Sequence, residues 1–537
     1  MLARFVNAVA PGRDYPRGWK AAGLGLLAGA VAAVVMTTVM LLLRTLFGLP
    51  TPMSLIGDRI SALLPVEPFL ALMGRVGGYN QMKQLGVSSV LAGQLVVGAI
   101  GGWIYAVAVG RDLVSPVRRG IFTFVLFVLL PVIAFAAALW PIVGTNFRGL
   151  PIGLATAATL IGFMLAFVAY ERTVVSGLAF LTHERPRSGP ATTAAEFSPT
   201  VSRRAVVLGG IGAVMGVGGA GLLRKLYKEA TFSYDGMQLR GREIEPITPN
   251  EKFYVVTKNV IDPRVNPAIW RLEITGLVKN KRTWSLDELK ALASVEQETT
   301  LMCISNGIEA GLMSNAVWKG VPMRVLLDAA GADPNAQEVL LHAVDNYTDT
   351  FAFEKAMNLT TLVAYEMNGE PLPQRHGAPA RIIVPGLFGE KNVKWLTRIE
   401  VVGYDAKGFY EKQGWGPDFV IPTRARIDAP EDKMELKLAE MSGGMPLKGI
   451  AFAGDRGVSR VEVSFDDEQS WQEAKLDYPG TELSWSLWSY NWKPEGAGEY
   501  RLAVRATDRQ GNVQALDQKR AKHSGATGLH KIALKVT

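Results

Sequence analysis

Cysteine is almost absent, with Cys303 the only one in 537 residues. One thiol excludes an internal disulfide, a cysteine zinc cluster and an iron–sulfur cluster. Histidine is scarce as well: there are 5, and none precedes His183. Bis-histidine haem therefore cannot be built in the first third of the chain. No Cys-x-x-Cys-His exists for attached haem, and no internal repeat is visible. Cys303 is flanked by Met302 and Ile304 with no nucleophile motif around it, so a hydrolase has no support.

Long uncharged apolar runs, in contrast, are plentiful, and all precede residue 225. They cover 21–43, 85–110, 121–147, 149–170 and 205–223. At about 1.5 Å per residue, each is long enough to cross a hydrocarbon core of about 30 Å. Five membrane helices are expected. Charge divides at the same place, with 18 Lys+Arg against 7 Asp+Glu in residues 1–224 and 39 against 42 afterwards. The net charge of +8 belongs to the membrane half and does not point to nucleic acid.

Arg4, Arg13, Arg17, Lys20, Arg111, Arg118, Arg119, Arg172, Arg185, Arg187, Arg203 and Arg204 flank one set of helix ends. Only Arg44, Arg59, Arg75, Lys83 and Arg148 flank the other. Positive charge stays inside, which places the N-terminus in the cytoplasm and everything after residue 224 outside the plasma membrane. Thr37, Thr38, Gln94 and Thr156, polar residues within the spans, read as helix–helix contacts.

Organisation follows from composition. Residues 1–183 form a four-helix membrane domain, in which 45–84 make a long outer loop with semi-apolar pieces at Leu55–Ile56 and Phe69–Met73. Residues 184–201, rich in Pro, Ser, Thr and Ala, read as a cytoplasmic linker. Ser202-Arg203-Arg204 then opens a mildly hydrophobic, Gly-rich fifth span over 202–224. Two readings stand side by side, a twin-arginine export signal and a positive-inside anchor. No small-residue cleavage site follows at Leu222-Leu223-Arg224-Lys225, so the helix is expected to stay attached.

Residues 230–425 mix β-like runs (Phe253–Val256, Trp270–Ile274, Arg381–Val384, Ile399–Val402) with helical ones (Leu286–Leu292, Met323–Ala330), an α+β pattern. Over 426–537 closely spaced alternating strands, among them Gly449–Ala453, Val458–Phe465 and Tyr500–Thr507, predict an immunoglobulin-like sandwich. The segment Trp485–Trp492 is compatible with either a surface or a core.

Two places could carry chemistry. Cys303 lies in Thr299-Thr300-Leu301-Met302-Cys303-Ile304-Ser305-Asn306-Gly307. A lone cysteine is most often a small buried hydrophobe; the other reading is a soft thiolate ligand, presented by the turn that Asn306-Gly307 favours. Further on come Asn368-Gly369-Glu370-Pro371-Leu372-Pro373, His376-Gly377-Ala378-Pro379-Ala380-Arg381, Val384-Pro385-Gly386 and Gly389-Glu390-Lys391-Asn392-Val393-Lys394-Trp395-Leu396. Repeated Gly and Pro loops exposing N–H groups, with His376, Arg381 and Lys394, suit an anion such as a phosphate. Taken singly, each of those basic residues is more often a solvated side chain.

In this order, together with Trp318-Lys319-Gly320-Val321-Pro322 and Ala343-Val344-Asp345-Asn346-Tyr347, the segments resemble the sulfite-oxidase family of molybdopterin enzymes. The resemblance runs from about Phe253 to Gly416. It continues at Gly449-Ile450-Ala451, Val461-Glu462-Val463-Ser464, Trp471 and Val504-Arg505-Ala506-Thr507-Asp508 into that family's C-terminal domain. It implies a Mo-molybdopterin cofactor with Cys303 as the protein ligand to the metal. Tyr254, Val255, Val256, Thr257, Lys258, Asp345, His376, Arg381, Asn392, Val393 and Lys394 would hold the cofactor, and Lys258 and Trp415 would join Cys303 nearest the chemistry.

The resemblance fails at two places. Val256 and Lys258 stand where the family has an arginine and a histidine, and no tyrosine falls near Gly414-Trp415. Both departures remove groups suited to a small oxyanion, so sulfite is not the expected substrate, and Trp415 and Phe409 suggest a more apolar mouth. The expected function is two-electron oxo transfer on a small molecule outside the cytoplasm, with electrons passing to a separate redox partner. The C-terminal domain would mediate a homodimer. Two alternatives stay open: an S-oxide-type reductase of the same fold, and a metal-free, membrane-tethered binding or assembly module.

Overall fold

The computed structural model describes residues 19–182 except 78, 112, 115–117, 141, 145–147 and 149. It also describes 217–228 except 226, then 241, 244–517 except 260, and 524–537. Among them, four helices are long and apolar enough to cross a membrane: Ala21–Phe47, Gln81–Gly110, Arg119–Ala138 and Ile152–Leu181. They answer to the first four expected spans, but not with the expected ends. The third carries one π-turn at Val125–Leu129 and stops at Ala138, ahead of Pro141, whose ring disfavours helix before it. The fourth passes the charges at 171–172 and reaches Leu181, because Thr123 donates to Glu171 at 2.6 Å and Arg172 lies 3.1 Å from the same carboxylate.

The first and second spans pack backbone to backbone. A Cβ at Gly29 would lie 2.3 Å from Gly98 O, and one at Gly102 2.3 Å from Gly25 O. Small residues four apart on both helices permit that approach. Gln94 donates to Thr37 across the same seam at 2.7 Å. The outer loop is more ordered than its sequence suggested: it holds the helices Pro52–Leu63, capped by Thr51, and Val66–Arg75. Of the expected fifth span, residues 201–216 lie outside the described residues, as do the 184–201 linker and Arg203-Arg204; residues 217–225 are helical.

The α+β part is built on two sheets. One has the order Arg282–Trp284, Leu272–Gly276, Leu396–Val402, Glu338–Ala343, Thr348–Ala352, with the Leu272–Gly276 and Leu396–Val402 pair parallel and the others antiparallel. The other runs Val295–Met302, Met313–Pro322, Leu362–Met367, Glu370–Pro371, with Arg381–Ile383 paired to Leu362–Met367. The helix Met323–Ala330 buries Met323, Leu326, Leu327 and Ala330 and ends at Gly331, whose φ of 67° is left-handed. Trp270, Val321, Leu341, Ile382 and Ile399 share its core. The expected strand at Phe253–Val256 is absent. Phe253, Tyr254 and Val255 are buried in succession rather than alternately, and the Tyr254 N–H donates to Ser314 Oγ at 3.1 Å instead of joining a ladder.

In the C-terminal part eight strands follow one path: Arg424–Ala429, Met445–Phe452, Ser486–Trp492, Gln472–Tyr478, Val458–Ser464, Gly498–Asp508, His530–Val536 and Glu435–Leu436. It doubles over to enclose Leu447, Val461, Val463, Trp488, Val504 and Leu534, a β-sandwich. Trp485, Trp488 and Trp492 are all core, at most 4% exposed. The N-terminal helices lean on the α+β part. Gln413 Nε2 donates to Ser61 O at 2.8 Å, and Ile261 packs with Leu41, Met53 and Val87.

Candidate active site

Cys303 comes straight after the strand Val295–Met302, which pairs Met302 with Met313 on its neighbour. The connecting loop is pinned from within. Cys303 N donates to Leu312 O and Asn306 N to Cys303 O, both at 3.0 Å, while Asn306 Oδ1 accepts from Leu312 N at 2.8 Å. It is also held by the sandwich. Arg424 donates to Gly307 O at 2.6 Å, Ile308 O at 3.0 Å and Asn306 O at 3.4 Å, and Arg426 bonds Ala310 O. The thiol is buried, 3.1 Å from Ser305 Oγ. Burial pushes it up to about 11, and the neighbouring Glu390 carboxyl adds to the shift. It stays a thiol unless a cation compensates for the burial.

Tyr254 shares its apolar cluster, and Glu390 acts on it electrostatically. A Cβ at Gly389 would lie 2.5 Å from the Tyr254 hydroxyl, so this glycine lets the loop close on the tyrosine. The Glu390 carboxyl is enclosed and pushed up to about 8 by burial. Tyr347 donates to Asp349 at 2.6 Å and to Glu390 O at 3.1 Å.

The expected cationic groups gather on the loops that follow. Arg381, buried, donates to His376 O and Asn392 O, both at 3.0 Å, and burial draws it down to about 10. Lys394 Nζ donates to Val256 O and Arg375 O at 3.1 Å, and burial lowers it to about 8. His376 Nε2 donates to Asn250 O at 2.9 Å; burial lowers it to about 3, which keeps it neutral. Asn392 Oδ1 accepts from Val384 N at 2.8 Å, and Val393 O accepts from Ile382 N at 2.8 Å, so these two residues shape the loop with their polar groups.

Lys258 is not an available cation. Its Nζ donates to Asp345 O at 2.8 Å and lies 3.5 Å from Asp345 Oδ2, which also accepts from Asn259 Nδ2 at 2.7 Å. Of its neighbours, Val255 and Thr257 are buried, whereas Val256 is 40% exposed. Trp415 ends an aromatic row: Phe409 and Tyr410 are 5.2 Å apart, Tyr410 and Trp415 5.6 Å. It packs on the apolar cluster that contains Met302 and Ile304.

The donor set fits a metal carried on an anionic organic cofactor. Among the described residues no three His, Cys, Asp or Glu could hold a metal ion by themselves, so a metal on Cys303 must bring its other ligands with it. Arg381 and Lys394 lean on neutral carbonyls, and no described carboxylate lies in ion-pair distance of either. Their charge suits a phosphate. A cleft of about 720 Å³ behind the cysteine loop, lined by Glu309, Asp428, Glu431, Asp432, His530 and Lys531, is too acidic for such a group.

Comparison with known proteins agrees. An oxidoreductase molybdopterin binding domain model matches residues 259–410, and a Mo-co oxidoreductase dimerisation domain model matches 418–534. Sulfite oxidase of Gallus gallus is 30% identical over 317 residues, covering 50% of this chain and 68% of that one. The chain belongs to the sulfite oxidase family. Its cofactor is therefore Mo-molybdopterin. The mitochondrial sulfite oxidase of Drosophila melanogaster is 32% identical over 316 residues, 50% of this chain and 55% of that enzyme. An inducible NADH nitrate reductase of Glycine max is 30% identical over 328 residues, 50% of this chain and 37% of that one. The chain thus spans little more than half the length of the first relatives it matches, and residues before 259 lie outside both matched domain models.

Arg424, Glu390, Asn259 and Ser305 are the site residues that sequence reasoning did not assign. Glu390 stood inside a recognised motif without a role. For Arg424 the sequence holds no signal, since its partners are backbone carbonyls more than 110 residues away.

Proposed function

We propose that this chain is a membrane-anchored oxidoreductase that exchanges one oxygen atom and two electrons with a small molecule other than sulfite. Its membrane domain would be 1–183, followed by the linker and a fifth span, with the molybdopterin domain at 230–425 and the sandwich at 426–537 on the outer side. One observation carries the reading: a lone buried thiol in a domain whose loops also gather the buried cations Arg381 and Lys394, neither in ion-pair contact with a described carboxylate.

When bound, molybdopterin supplies the centre at which oxygen and electrons are exchanged. Cys303 would hold the metal as its thiolate, giving up the proton that burial otherwise retains. Arg381, Lys394 and the neutral donor His376 orient the cofactor's phosphate end, and Asp345 fixes Lys258 beside it. The segment 254–258 and the turn at Asn392–Val393 wall it in, while Trp415 narrows the approach. In the oxidative direction the substrate gains the oxygen atom of a water and gives up two electrons, while the water's two protons are released; in the reductive direction two electrons and two protons return that oxygen to water. The electrons pass to a separate carrier, because the membrane helices hold no histidine for haem and a single cysteine cannot hold an iron–sulfur cluster.

The reductive reading, on an S-oxide, draws on Val256 in the position of the family's arginine and on the aromatic row at 409–415. Relatives named sulfite oxidase and nitrate reductase both match this chain. A metal-free binding module has no use for the retained thiol and cations.

The test is to purify the full chain in detergent from a molybdenum-replete host, alongside Cys303→Ser. Molybdenum and pterin are then counted per chain, and sulfite and sulfoxides are assayed. Near one of each in the parent, with metal lost or its spectrum altered in the variant, is expected. A folded parent without molybdenum sinks the reading.

A further inference from the structure

The two helices between the first and second spans each bury one face and leave another bare. Pro52–Leu63 turns Pro52, Met53, Ser54, Leu55 and Asp58 inward, and Leu55 joins the core of the spans with Phe163 and Tyr170. Its other face carries Ile60 and Leu63, 55% and 64% exposed. On Val66–Arg75, Phe69, Leu72 and Met73 share one face at helical spacing, while Glu67 and Arg75 fall on the opposite one. Leu72 is 44% exposed. Bare apolar side chains gathered on consecutive helices mark a surface that something covers.

Short tethers identify the cover. Only residues 48–51 join the first helix to the span that ends at Phe47, and only 76–80 join the second to the span that begins at Gln81. At full stretch these segments reach about 14 and about 17 Å, so neither helix can move far from the bilayer surface at which the spans emerge. An amphipathic helix held there sinks its apolar face about 5–10 Å into the boundary between headgroups and acyl chains. The same two helices carry the α+β part. Gln413 Nε2 donates to Ser61 O at 2.8 Å, and a Cβ at Gly414 would lie 3.4 Å from Val66 Cγ1, on a side chain that is buried. Trp415, the next residue, packs on the cluster that contains Met302 and Ile304.

We propose that residues 52–75 form a lipid-facing shelf, with Ile60, Leu63 and Leu72 set against phospholipid in the headgroup layer. This rests on the reading of the long apolar helices as membrane spans. Arg75, on the polar side of its helix, keeps its charge among the headgroups while its stem covers apolar surface. A protein partner on this face would have to displace the lipid against which the short tethers hold it. Because the α+β part rests on the shelf, the loop 411–415 lies within one helix diameter, about 10 Å, of the lipid. The domain is thereby seated on the membrane and does not swing freely on a linker.

The experiment uses the full chain in phosphatidylcholine nanodiscs. Single variants Ile60→Cys, Leu63→Cys and Leu72→Cys are labelled with a thiol-reactive fluorophore, and emission is compared with and without lipids brominated at the top of the acyl chains. The parent, treated in parallel, gives the background from buried Cys303. Val97→Cys, 69% exposed within the second span, and Val513→Cys, 49% exposed on the sandwich, are the controls. Shallow bromines should remove about half or more of the emission at 60, 63 and 72, since they lie at the depth to which an interfacial helix sinks. Emission at 513 should not change, and emission at 97 should be quenched most by bromines deep in the chains. Quenching at 97 but at no more than one of 60, 63 and 72 overturns the shelf, whether water or a second protein covers that face, and leaves the spans standing. Silence at 97 overturns the membrane reading on which the shelf rests. Exposed positions tolerate such replacements, and three separate sites keep the test decisive if one variant fails to fold.

Discussion

Replacing Arg424 by methionine removes the donors that tie the sandwich to the cysteine loop while keeping a side chain of similar reach. Two of its bonds, to Gly307 O at 2.6 Å and Ile308 O at 3.0 Å, are well formed, and that to Asn306 O at 3.4 Å is long. Bonds from a charged donor contribute about 1.5–3 kcal/mol each, so the gross loss is roughly 3–6 kcal/mol. Against this stands the relief of burying a guanidinium that desolvation pulls down to about 9. A net loss of about 3 kcal/mol remains. At about 2–4 °C per kcal/mol for a domain of some 200 residues, the melting temperature of full-length protein should fall by roughly 6–12 °C. Molybdenum per chain should fall with it, because the same loop presents the thiol. Arg424→Lys, a point charge that reaches one carbonyl well, should lie between. Thermal melting and metal analysis on the same samples decide the matter. A methionine variant that melts within about 2 °C of the parent and keeps its full metal content would show that the loop stands without this arginine.

Two further outcomes follow from the electrostatics. Asp345→Ala strands Lys258, whose side chain is 7% exposed, and should destabilise by roughly 3–5 kcal/mol. Combining it with Lys258→Met should recover most of that in denaturant titrations, and a double variant no better than the single would rule the account out. His376 is held neutral, with its value drawn from 6.5 to about 3. On acidification the unfolded chain takes up the proton first, so the stability is intact above about 6.5 and is lost progressively down to about 3, near 1.4 kcal/mol per pH unit. Between pH 7 and pH 5 the parent should therefore lose about 2 kcal/mol more than His376→Gln; parallel pH profiles would refute the burial assigned to the imidazole.

Legibility in the sequence tracks whether a feature depends on local pattern. The helix Met323–Ala330 is legible to the residue because its apolar positions repeat at helical spacing and Gly331 ends it. The sandwich strands are legible through alternation, and the loops proposed to hold the cofactor stand out by clustered Gly, Pro and cations. The first four spans are legible as elements, their lengths and ends less so. A charge stops a hydropathy run, but Glu171 remains inside a helix because Thr123, 48 residues away, bonds it. The stretch Phe253–Val256 reads as a strand from its β-prone residues, yet its partners are a serine hydroxyl and a tightly packed pocket.

Arg424 and Glu390 share the property that hides them. One bonds only to backbone carbonyls and to sulfur, the other has no side-chain hydrogen-bond partner described in the chain. Backbone partners leave no trace in side-chain patterns, and a missing partner leaves none either. Both nevertheless converge on the turn after Met302, one from the sandwich and one from the loop at 389–391. The sandwich therefore supports the cysteine loop directly. With Arg424 and Arg426 it holds the carbonyls of residues 306–308 and Ala310, and a chain cut before residue 424 would leave that turn unsupported where Cys303 is presented.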